Sequence, residues 1–468
     1  MKLFRNASLV GIVAFACLAF AFKDVEFTGG RLKISENRRY FITSDGKPFF
    51  WLGDTGWLLF SKLNREDAET YLEDRRKKGF NVIQVMVLHS LSVTDAYGDS
   101  ALINKNVATP RVTEGSTFGD KAQYDYWDHV DYIVDLAASK GIYIAMVPVW
   151  GSNVKMKHGV NQKDAKIYAE FLAARYKNHP NVIWMNGGDI PGSDSIKVWN
   201  TIGSTIHQYD PTHIMTFHPR GRTQSSIWFQ KEDWLSFNCF QSGHRDYKQD
   251  TSKNDFNYGE DNWKYVNSDY KKLPTKPTLD AEPSYEGIPH GLHDTLAARW
   301  KAADVRRYAY WSVFAGGCGY TYGNNSVMQM LKPGEKGASY GAKATWFGAI
   351  EDPGASQMQW VKKLMLSRPY FGRVPDQSII IAAKQGKRYN YLIATHGEGY
   401  AFVYTYNGRS IDVNLGKITG AKVKASWYDP RTGETKAIGT FANTGTKSFK
   451  PEGGIKNGND WVLILDKV

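Results

Sequence analysis

Cysteine is scarce in this chain of 468 residues, which contains only three. One of them, Cys17, lies in an apolar N-terminal stretch, and we place Cys239 and Cys318 on barrel strands that are not neighbours. Alternate strands of a sheet lie about 9–10 Å apart, which is too far for a disulfide. No Cys/His spacing is typical of a zinc site. We therefore predict two free buried thiols, and nothing in the sequence implies a metal or an organic cofactor.

Long apolar runs, dense basic runs and internal repeats are also missing. Only residues 9–20 are almost entirely apolar, and this run is too short for a membrane span. The basic residues behind the net charge of +12 are scattered, so nucleic acid is not an expected partner. A basic surface could attract an acidic polysaccharide such as pectin, or it could consist of solvated lysines with no partner. We expect a monomer.

The N-terminus has the pattern of a secretory signal. Lys2 and Arg5 precede the apolar run, and residues 19–21 fit a small-x-small cleavage site. Residues 1–21 are therefore predicted to be a signal peptide of a secreted or periplasmic protein. Cys17 leaves a surface lipoprotein as an alternative, although no Leu lies three residues before it.

Short apolar segments and amphipathic segments alternate through most of the chain. The predicted strands are residues 49–54, 82–88, 143–149, 182–189, 214–218, 235–241, 277–284 and 309–314. The clearest predicted helices are residues 64–79, 126–140, 164–176 and 194–209. Eight strands with helices between several of them predict an α/β fold, a (β/α)₈ TIM barrel, which we assign to residues 22–372 with a short N-terminal β segment. The long insertions, residues 90–123 and 242–276, follow strand ends, where such barrels build their active sites.

The pattern changes near residues 368–375. Beyond that point the β-type segments are residues 378–383, 389–395, 400–406, 411–415, 423–428 and 461–466. Turn signals such as Asn407-Gly408 separate them. This arrangement predicts that residues 376–468 form a small all-β sandwich.

Two carboxylates lie at the ends of strand-like segments of the predicted barrel. Asp189 ends an otherwise apolar run after Gly187 and Gly188, and Glu282 lies at the end of the seventh segment. The segment count places them at the mouths of the fourth and seventh strands. A pair of carboxylates that face one cleft is typical of the active site of a glycoside hydrolase.

Each acid also has a structural interpretation. Asp189 could instead cap the next helix, and Glu282 could belong to a structural ion pair. Asp280 points the same way as Glu282 in a strand but one layer deeper, so we predict a buried structural or orienting role for it. Glu286 is a third acid nearby that the sequence does not exclude.

Other polar and aromatic side chains are predicted at the same rim. Those at or just beyond predicted strand ends are Asp54, His89, Trp150, His218, Gln241 and Tyr322. Tyr285, close to Glu282, is a further candidate. Aromatic residues make up 14% of the chain, an excess that suits stacking against sugar rings but could equally reflect a large aromatic core. We expect most of these candidates to contact the substrate.

The chain resembles the apiosidase-like glycoside hydrolases, family 140, from about residue 49 to the C-terminus. The motifs that carry the resemblance are WLGDTGW (51–57), VIWMNGGD (182–189), HPRGRTQSSIWF (218–229), FNCFQSGH (237–244), LDAEPSYEGIP (279–289), GYTYGNNSV (319–327) and SWYDPRTGE (426–434). Members of this family have a barrel followed by a small sandwich, often labelled collagen-binding. Tyr320 stands where the family often has His, which we interpret as a changed rim residue and a possible change of sugar preference.

The resemblance implies an acid/base role for Asp189 and a nucleophilic role for Glu282. It also implies a retaining enzyme that cleaves an apiosyl-like or other furanosyl linkage in plant pectin, in rhamnogalacturonan side chains. One alternative is a glycosidase of different specificity, such as an arabinofuranosidase or an endo-acting glycanase. Another is a non-catalytic carbohydrate- or matrix-binding protein, although that function would not require paired carboxylates.

Overall fold

The structure is a computed structural model that describes residues 27–251 and 256–468. The predicted signal peptide, residues 1–21, lies outside the described residues. Within the described part of the chain, no helix is both long and apolar enough to span a bilayer.

A barrel of parallel strands forms the larger part of the molecule. Three short antiparallel strands precede it: β1 (Lys33–Ile34), β2 (Phe41–Ile42) and β3 (Pro48–Phe49). The barrel strands are β4 (Trp51–Thr55), β5 (Val82–Leu88), β6 (Tyr143–Val149), β7 (Val182–Ile190), β8 (Met215–Pro219), β10 (Asn238–Gln241), β11 (Thr278–Asp280) and β12 (Gly319–Tyr322); β9 (Thr223–Gln224) pairs antiparallel with β10. The backbone N–H of Ser236 donates to the Met215 carbonyl at 2.8 Å and links β8 to the start of β10. These strands confirm the predicted barrel.

Helices surround the barrel and connect its strands. They are α1 (Leu59–Lys62), α2 (Arg65–Lys77), α3 (Tyr126–Ser139), α4 (Gly151–Lys155), α5 (Gln162–Tyr176), α6 (Ile196–Tyr209), α7 (Ser226–Phe229), α8 (Trp263–Tyr270), α9 (Ala302–Phe314), α10 (Trp346–Ala349) and α11 (Pro353–Leu366). The four predicted helices form within two residues of their expected bounds. Their caps explain this agreement: Asn64 accepts a hydrogen bond from the Asp67 N–H at 2.8 Å, and Asp125 forms a capping box with Asp128.

The predicted eighth strand is wrong. Residues 309–314 belong to helix α9, and the eighth barrel strand is β12. Every residue of α9 from Val305 to Phe314 is buried, because the helix lies between the barrel and the C-terminal domain, where Tyr310 stacks on Tyr404 with ring centroids 4.8 Å apart. A helix that is buried on all sides shows no polar face, so its sequence resembles a buried strand.

The C-terminal domain is an all-antiparallel sandwich. Its strands are β13 (Val374–Pro375), β14 (Leu392–Gly397), β15 (Tyr400–Thr405), β16 (Ile411–Asn414), β17 (Lys422–Tyr428), β18 (Thr435–Ala442), β19 (Thr446–Phe449) and β20 (Trp461–Lys467). Six of them form a sheet in the order β13-β14-β15-β20-β17-β18, and β16 pairs with β19. The strand predicted at residues 378–383 does not form, since short 3₁₀ turns occupy this segment. The edge strand β18 is not predicted from the sequence, because six of its eight residues are exposed and its apolar residues do not alternate regularly with polar ones.

The strand β15 in the main sheet of this domain is buried on both of its faces. Along β15, Phe402 and Tyr404 pack into the core of the barrel, whereas Ala401 and Val403 pack into the interior of the sandwich. Alternate residues of a strand point to opposite faces, so both domains share one continuous hydrophobic core. The two domains therefore pack against each other through an apolar interface.

Both cysteines outside the N-terminal stretch are free and buried. Cys239 lies on β10, and Cys318 lies just before β12 with its Sγ 3.1 Å from the Thr278 carbonyl oxygen. The prediction of two free thiols is confirmed.

Candidate active site

A cleft of about 530 Å³ opens at the carboxyl ends of the barrel strands. Asp189 and Glu282 both line it, and so do Trp150, Gln241 and Tyr285. Five of the nine predicted site residues therefore meet in one space. They come from four different strand ends, as expected for a barrel active site.

A strained turn at the end of β7 directs Asp189 into the cleft. Gly187, Gly188 and Asp189 all have positive φ, of 92°, 120° and 50°, and the pairing of β7 with β8 shifts register at this point. A Cβ on Gly188 would lie 2.6 Å from the Trp150 ring, so only glycine fits there. Strain at a non-glycine residue and a bulge both mark positions where the backbone re-aims a side chain.

Asp189 does not cap the following helix. The N-cap position of α6 is Ser195, and the Asp189 side chain is exposed in the cleft. The backbone N–H of Asp189 instead points to His218 Nδ1 at 3.4 Å. The helix-cap interpretation of Asp189 is therefore wrong.

Two imidazoles hold the carboxylate of Glu282, which is only 7% exposed. His244 Nε2 is in hydrogen-bonding geometry with Oε1 at 3.1 Å, and His218 Nε2 lies 3.1 Å from Oε2. Burial alone raises the pKa of Glu282, but contact with the two imidazoles outweighs it and lowers the pKa below its usual range. The site therefore stabilises the ionised form of Glu282.

The pKa of Asp189 is shifted in the opposite direction, above its usual range. Although Asp189 is open to the cleft, the protein groups crowded around it reduce its solvation and raise its pKa, and the neighbouring charge of Glu282 raises the pKa further. His218 and His244 lower the pKa of Asp189, but less than the first two effects raise it. The two carboxyl groups thus separate into one that favours the proton and one that favours the charge, which is the division between an acid and a nucleophile.

An acid and nucleophile pair formed by Asp189 and Glu282 would give a bell-shaped dependence of kcat/KM on pH, because such a pair needs ionised Glu282 and protonated Asp189. The acidic limb follows the lowered pKa of Glu282, and the basic limb follows the raised pKa of Asp189. Glu282→Gln removes a neighbouring negative charge, so it should lower the pKa of Asp189. A carbon-13 NMR titration of the Asp189 carboxyl in this variant measures the change, and an unchanged pKa would contradict the coupling.

Three predicted site residues lie outside the cleft. Asp54 is buried and accepts hydrogen bonds at 2.6 Å from Tyr71 and from Arg75, both on α2. Tyr322 is buried and donates to Glu286 at 2.6 Å. His89 is half-buried. Asp54, His89 and Tyr322 therefore do not line the cleft, and the ion pair of Asp54 joins β4 to α2.

The ninth candidate, His218, lies beneath the cleft. It is fully buried, and its Nε2 lies 3.1 Å from the Glu282 carboxylate. Its ring also packs edge-on against Trp57, with centroids 5.3 Å apart. His218 is thus placed to support the carboxylate, not to contact a sugar directly.

Glu286, Asp280 and Tyr320 are all buried, and both acids are hydrogen-bonded to other protein groups. Glu286 accepts hydrogen bonds from Tyr322 and from the Gly354 N–H, and burial raises its pKa to about 7. Asp280 accepts from Ser242 Oγ at 2.8 Å and from an amide of the insertion after β10, as expected for an orienting acid. Tyr320 is fully buried, so it is not the rim residue that we expected.

Several residues that line the cleft were not predicted. They are Trp57, Arg220, Arg222, His244, Arg245, His293 and Tyr340. His244 and Arg245 belong to the long insertion after the sixth strand. Their position just beyond a strand end was the feature of the sequence that could have identified them as site residues. Tyr340 lies in a turn with φ 52° far along the chain, and nothing in the sequence near it marks a site.

No group of three or more His, Cys, Asp or Glu side chains in residues 27–251 and 256–468 is arranged to hold a metal ion.

Comparison with known proteins identifies relatives of both domains. A family profile described as "Apiosidase-like, catalytic domain" matches residues 35–372, and one described as "Putative collagen-binding domain of a collagenase" matches residues 374–466. A solved structure described as a glycoside hydrolase is 47% identical, with a TM-score of 0.88, and the match covers 94% of this chain and 98% of that chain. A glycoside hydrolase family 5 structure from Bacteroides vulgatus ATCC 8482 is 46% identical, with a TM-score of 0.88 and 94% of both chains covered. No curated protein matches the chain.

Proposed function

The chain belongs to the apiosidase-like family of glycoside hydrolases, and we propose that it is an exported, retaining enzyme that acts on plant pectin. Its proposed target is an apiosyl-like or other furanosyl linkage in rhamnogalacturonan side chains. The observation that carries the proposal is the pair of acids in one cleft: Asp189, with a raised pKa, and Glu282, with a lowered pKa.

In the first half of the proposed reaction, Glu282 attacks the anomeric carbon while Asp189 donates its proton to the departing oxygen. The bond between that oxygen and the anomeric carbon breaks, and the sugar becomes an ester of Glu282. Ester formation removes the charge of Glu282, so the pKa of Asp189 falls. Asp189 can then take a proton from the water that attacks the anomeric carbon and releases Glu282.

The walls of the cleft support the choice of an acidic polysaccharide. Trp57 and Trp150 pack against each other, with ring centroids 5.3 Å apart, and provide aromatic surface for a sugar ring. Arg220, Arg222 and Arg245 line the same cleft. Guanidinium groups favour carboxylates as partners, so they suit an aglycone that contains uronic acid.

Retention at the anomeric carbon is the expected stereochemical outcome, with the two carboxyl groups about 5–5.5 Å apart in a complex with substrate. A panel of pectin side-chain oligosaccharides, followed by proton NMR of the first-formed sugar, tests both the substrate and the stereochemistry. Release of apiose with retained configuration is expected. Release of arabinose alone would replace the proposed specificity, and an inverted product would exclude Glu282 as a nucleophile.

A further inference from the structure

The insertion after β10, residues 242–276, connects the cleft with the C-terminal domain. At its start, His244 and Arg245 line the cleft. Farther along, Trp263 stacks on Tyr391 of the C-terminal domain, with ring centroids 4.3 Å apart. One segment therefore forms part of the cleft wall and part of the domain interface.

Glu260 is the polar centre of this interface and is fully buried. Its Oε1 accepts a hydrogen bond at 2.7 Å from the hydroxyl of Tyr389 in the C-terminal domain, and its Oε2 accepts one at 2.5 Å from Arg307 on α9. The Tyr389 ring also packs edge-on against Tyr247, with centroids 5.5 Å apart. A buried carboxylate with these partners has one favourable position, so Tyr389 helps to fix where Glu260 lies.

A short series of contacts leads from Glu260 to the cleft. The N–H of the adjacent Gly259 donates to Asp250 Oδ2 at 2.6 Å. Asp250 Oδ1 lies 3.0 Å from Arg222 Nε in an ion pair, and Arg222 lines the cleft. Gly259 is closely packed, since a Cβ there would lie 2.4 Å from the Tyr247 ring. A displacement of Glu260 would therefore move Asp250 and, with it, a cation of the cleft wall.

We propose that the C-terminal domain positions the substrate-binding wall of the cleft, with Tyr389 as the positioning residue that acts through Glu260 and Asp250 on Arg222. The domain is then part of the apparatus for substrate recognition, in addition to its packing against the barrel. This inference rests on the proposed function for its kinetic consequence, but its structural consequence is independent of the substrate.

The kinetic effect should fall on KM, not on kcat. His244, the partner of Glu282, is fixed by its own contacts: its carbonyl accepts hydrogen bonds from the Gly291 N–H at 2.8 Å and from Trp300 Nε1 at 3.2 Å. Neither contact involves Tyr389. Loss of the Tyr389 hydroxyl should therefore disturb Arg222 while the pair that performs the chemistry stays in place.

The test is Tyr389→Phe in the full-length enzyme, which removes one hydroxyl and keeps the ring. With a rhamnogalacturonan side-chain oligosaccharide as substrate, we expect KM to rise roughly five- to tenfold, with kcat within about twofold of wild type. Amide hydrogen exchange should become faster in residues 256–263. The matched control is Tyr428→Phe, since the Tyr428 hydroxyl also crosses the interface, to the Trp360 carbonyl at 2.9 Å, but has no contact with the insertion.

The control variant should keep the wild-type KM and the wild-type exchange of residues 256–263, even if its melting temperature falls. Equal KM values for Tyr389→Phe and wild type would overturn the proposal, and so would an equal rise in both variants, which would indicate general loosening. If the carboxyl variants show that the proposed catalytic pair is wrong, the hydrogen-exchange comparison still decides whether Tyr389 orders the insertion.

Discussion

Glu282→Gln should reduce kcat by at least about 10⁴-fold, because an amide cannot form the glycosyl ester through which the proposed reaction proceeds. The fold should persist, since Gln has the same shape and can still contact His244. The measurement is turnover of a pectin side-chain oligosaccharide, together with a thermal unfolding curve that shows an unchanged structure. A variant with the wild-type rate would exclude Glu282 as the nucleophile.

Glu286→Gln is the matched control for this experiment. Glu286 lies four residues farther along and is also buried, but it accepts hydrogen bonds from Tyr322 and Gly354 and does not line the cleft. A glutamine oxygen can accept the same bonds, so this variant should keep most of the activity. Large and equal losses in both variants would indicate that turnover depends on packing around this segment and not on one carboxylate.

Asp189→Asn should also cost at least about 10³-fold with the natural substrate, since it removes the proton donor and the later base. The loss of kcat/KM should be much smaller with an aryl glycoside whose leaving group departs without protonation, because kcat/KM includes only the steps up to formation of the glycosyl ester. Glu282→Gln should fail with both substrates, because both need the nucleophile. The comparison therefore separates the two roles, and equal losses on both substrates at Asp189→Asn would contradict its assignment as the acid.

The sequence predicted the position of the two acids better than that of the residues around them. Asp189 and Glu282 could be found because Asp189 lies at the end of the largely apolar strand β7 and Glu282 lies two residues beyond the short strand β11. A parallel barrel brings such strand ends to one face. Tyr322 also ends a strand and Asp54 lies one residue before the end of another, and the two are paired residues in the β4–β12 ladder. Their side chains, however, bond to residues outside the cleft, namely Arg75 and Glu286.

This difference has a simple physical cause. Barrel strands are buried on both faces, so their sequences lack the alternation that would reveal which side chains point inward. A shift of one residue reverses every side chain of a strand, and the sequence alone does not define that register. Residues such as Tyr340 come from long loops whose path depends on tertiary packing, which leaves no local pattern to read.

A chain that ends at Ser367 should be insoluble or much less stable than the full-length protein. Helix α9 has no exposed face in the complete structure, and removal of the sandwich would expose the aromatic rings of Tyr310 and Phe314 that pack on Tyr404 and Phe402. Each buried aromatic ring covers about 150–250 Å². An apolar surface of this size on a free barrel would favour aggregation.

The truncation would also leave buried charges without partners. Arg306 of α9 forms an ion pair with Asp460 at 2.6 Å, and both side chains are buried. Arg307, also fully buried, would lose its packing against the Tyr389 and Tyr406 rings. Removal of one partner from a buried pair costs about 3–5 kcal/mol, a large part of the total stability of about 5–15 kcal/mol of a typical domain.

We therefore expect a soluble fraction of the truncated barrel, if any, to unfold more than about 10 °C below the full-length protein. Expression of residues 1–367 beside the full chain, followed by calorimetry, measures this directly. The full-length Asp460→Asn variant is a milder comparison that removes one charge and keeps every ring in place, so it should lose less stability than the truncation. The opposite result would be a soluble truncated barrel with an unchanged melting temperature, while isolated residues 374–466 bind collagen or polysaccharide. The C-terminal domain would then be a targeting module, and its packing against α9 would be incidental to folding.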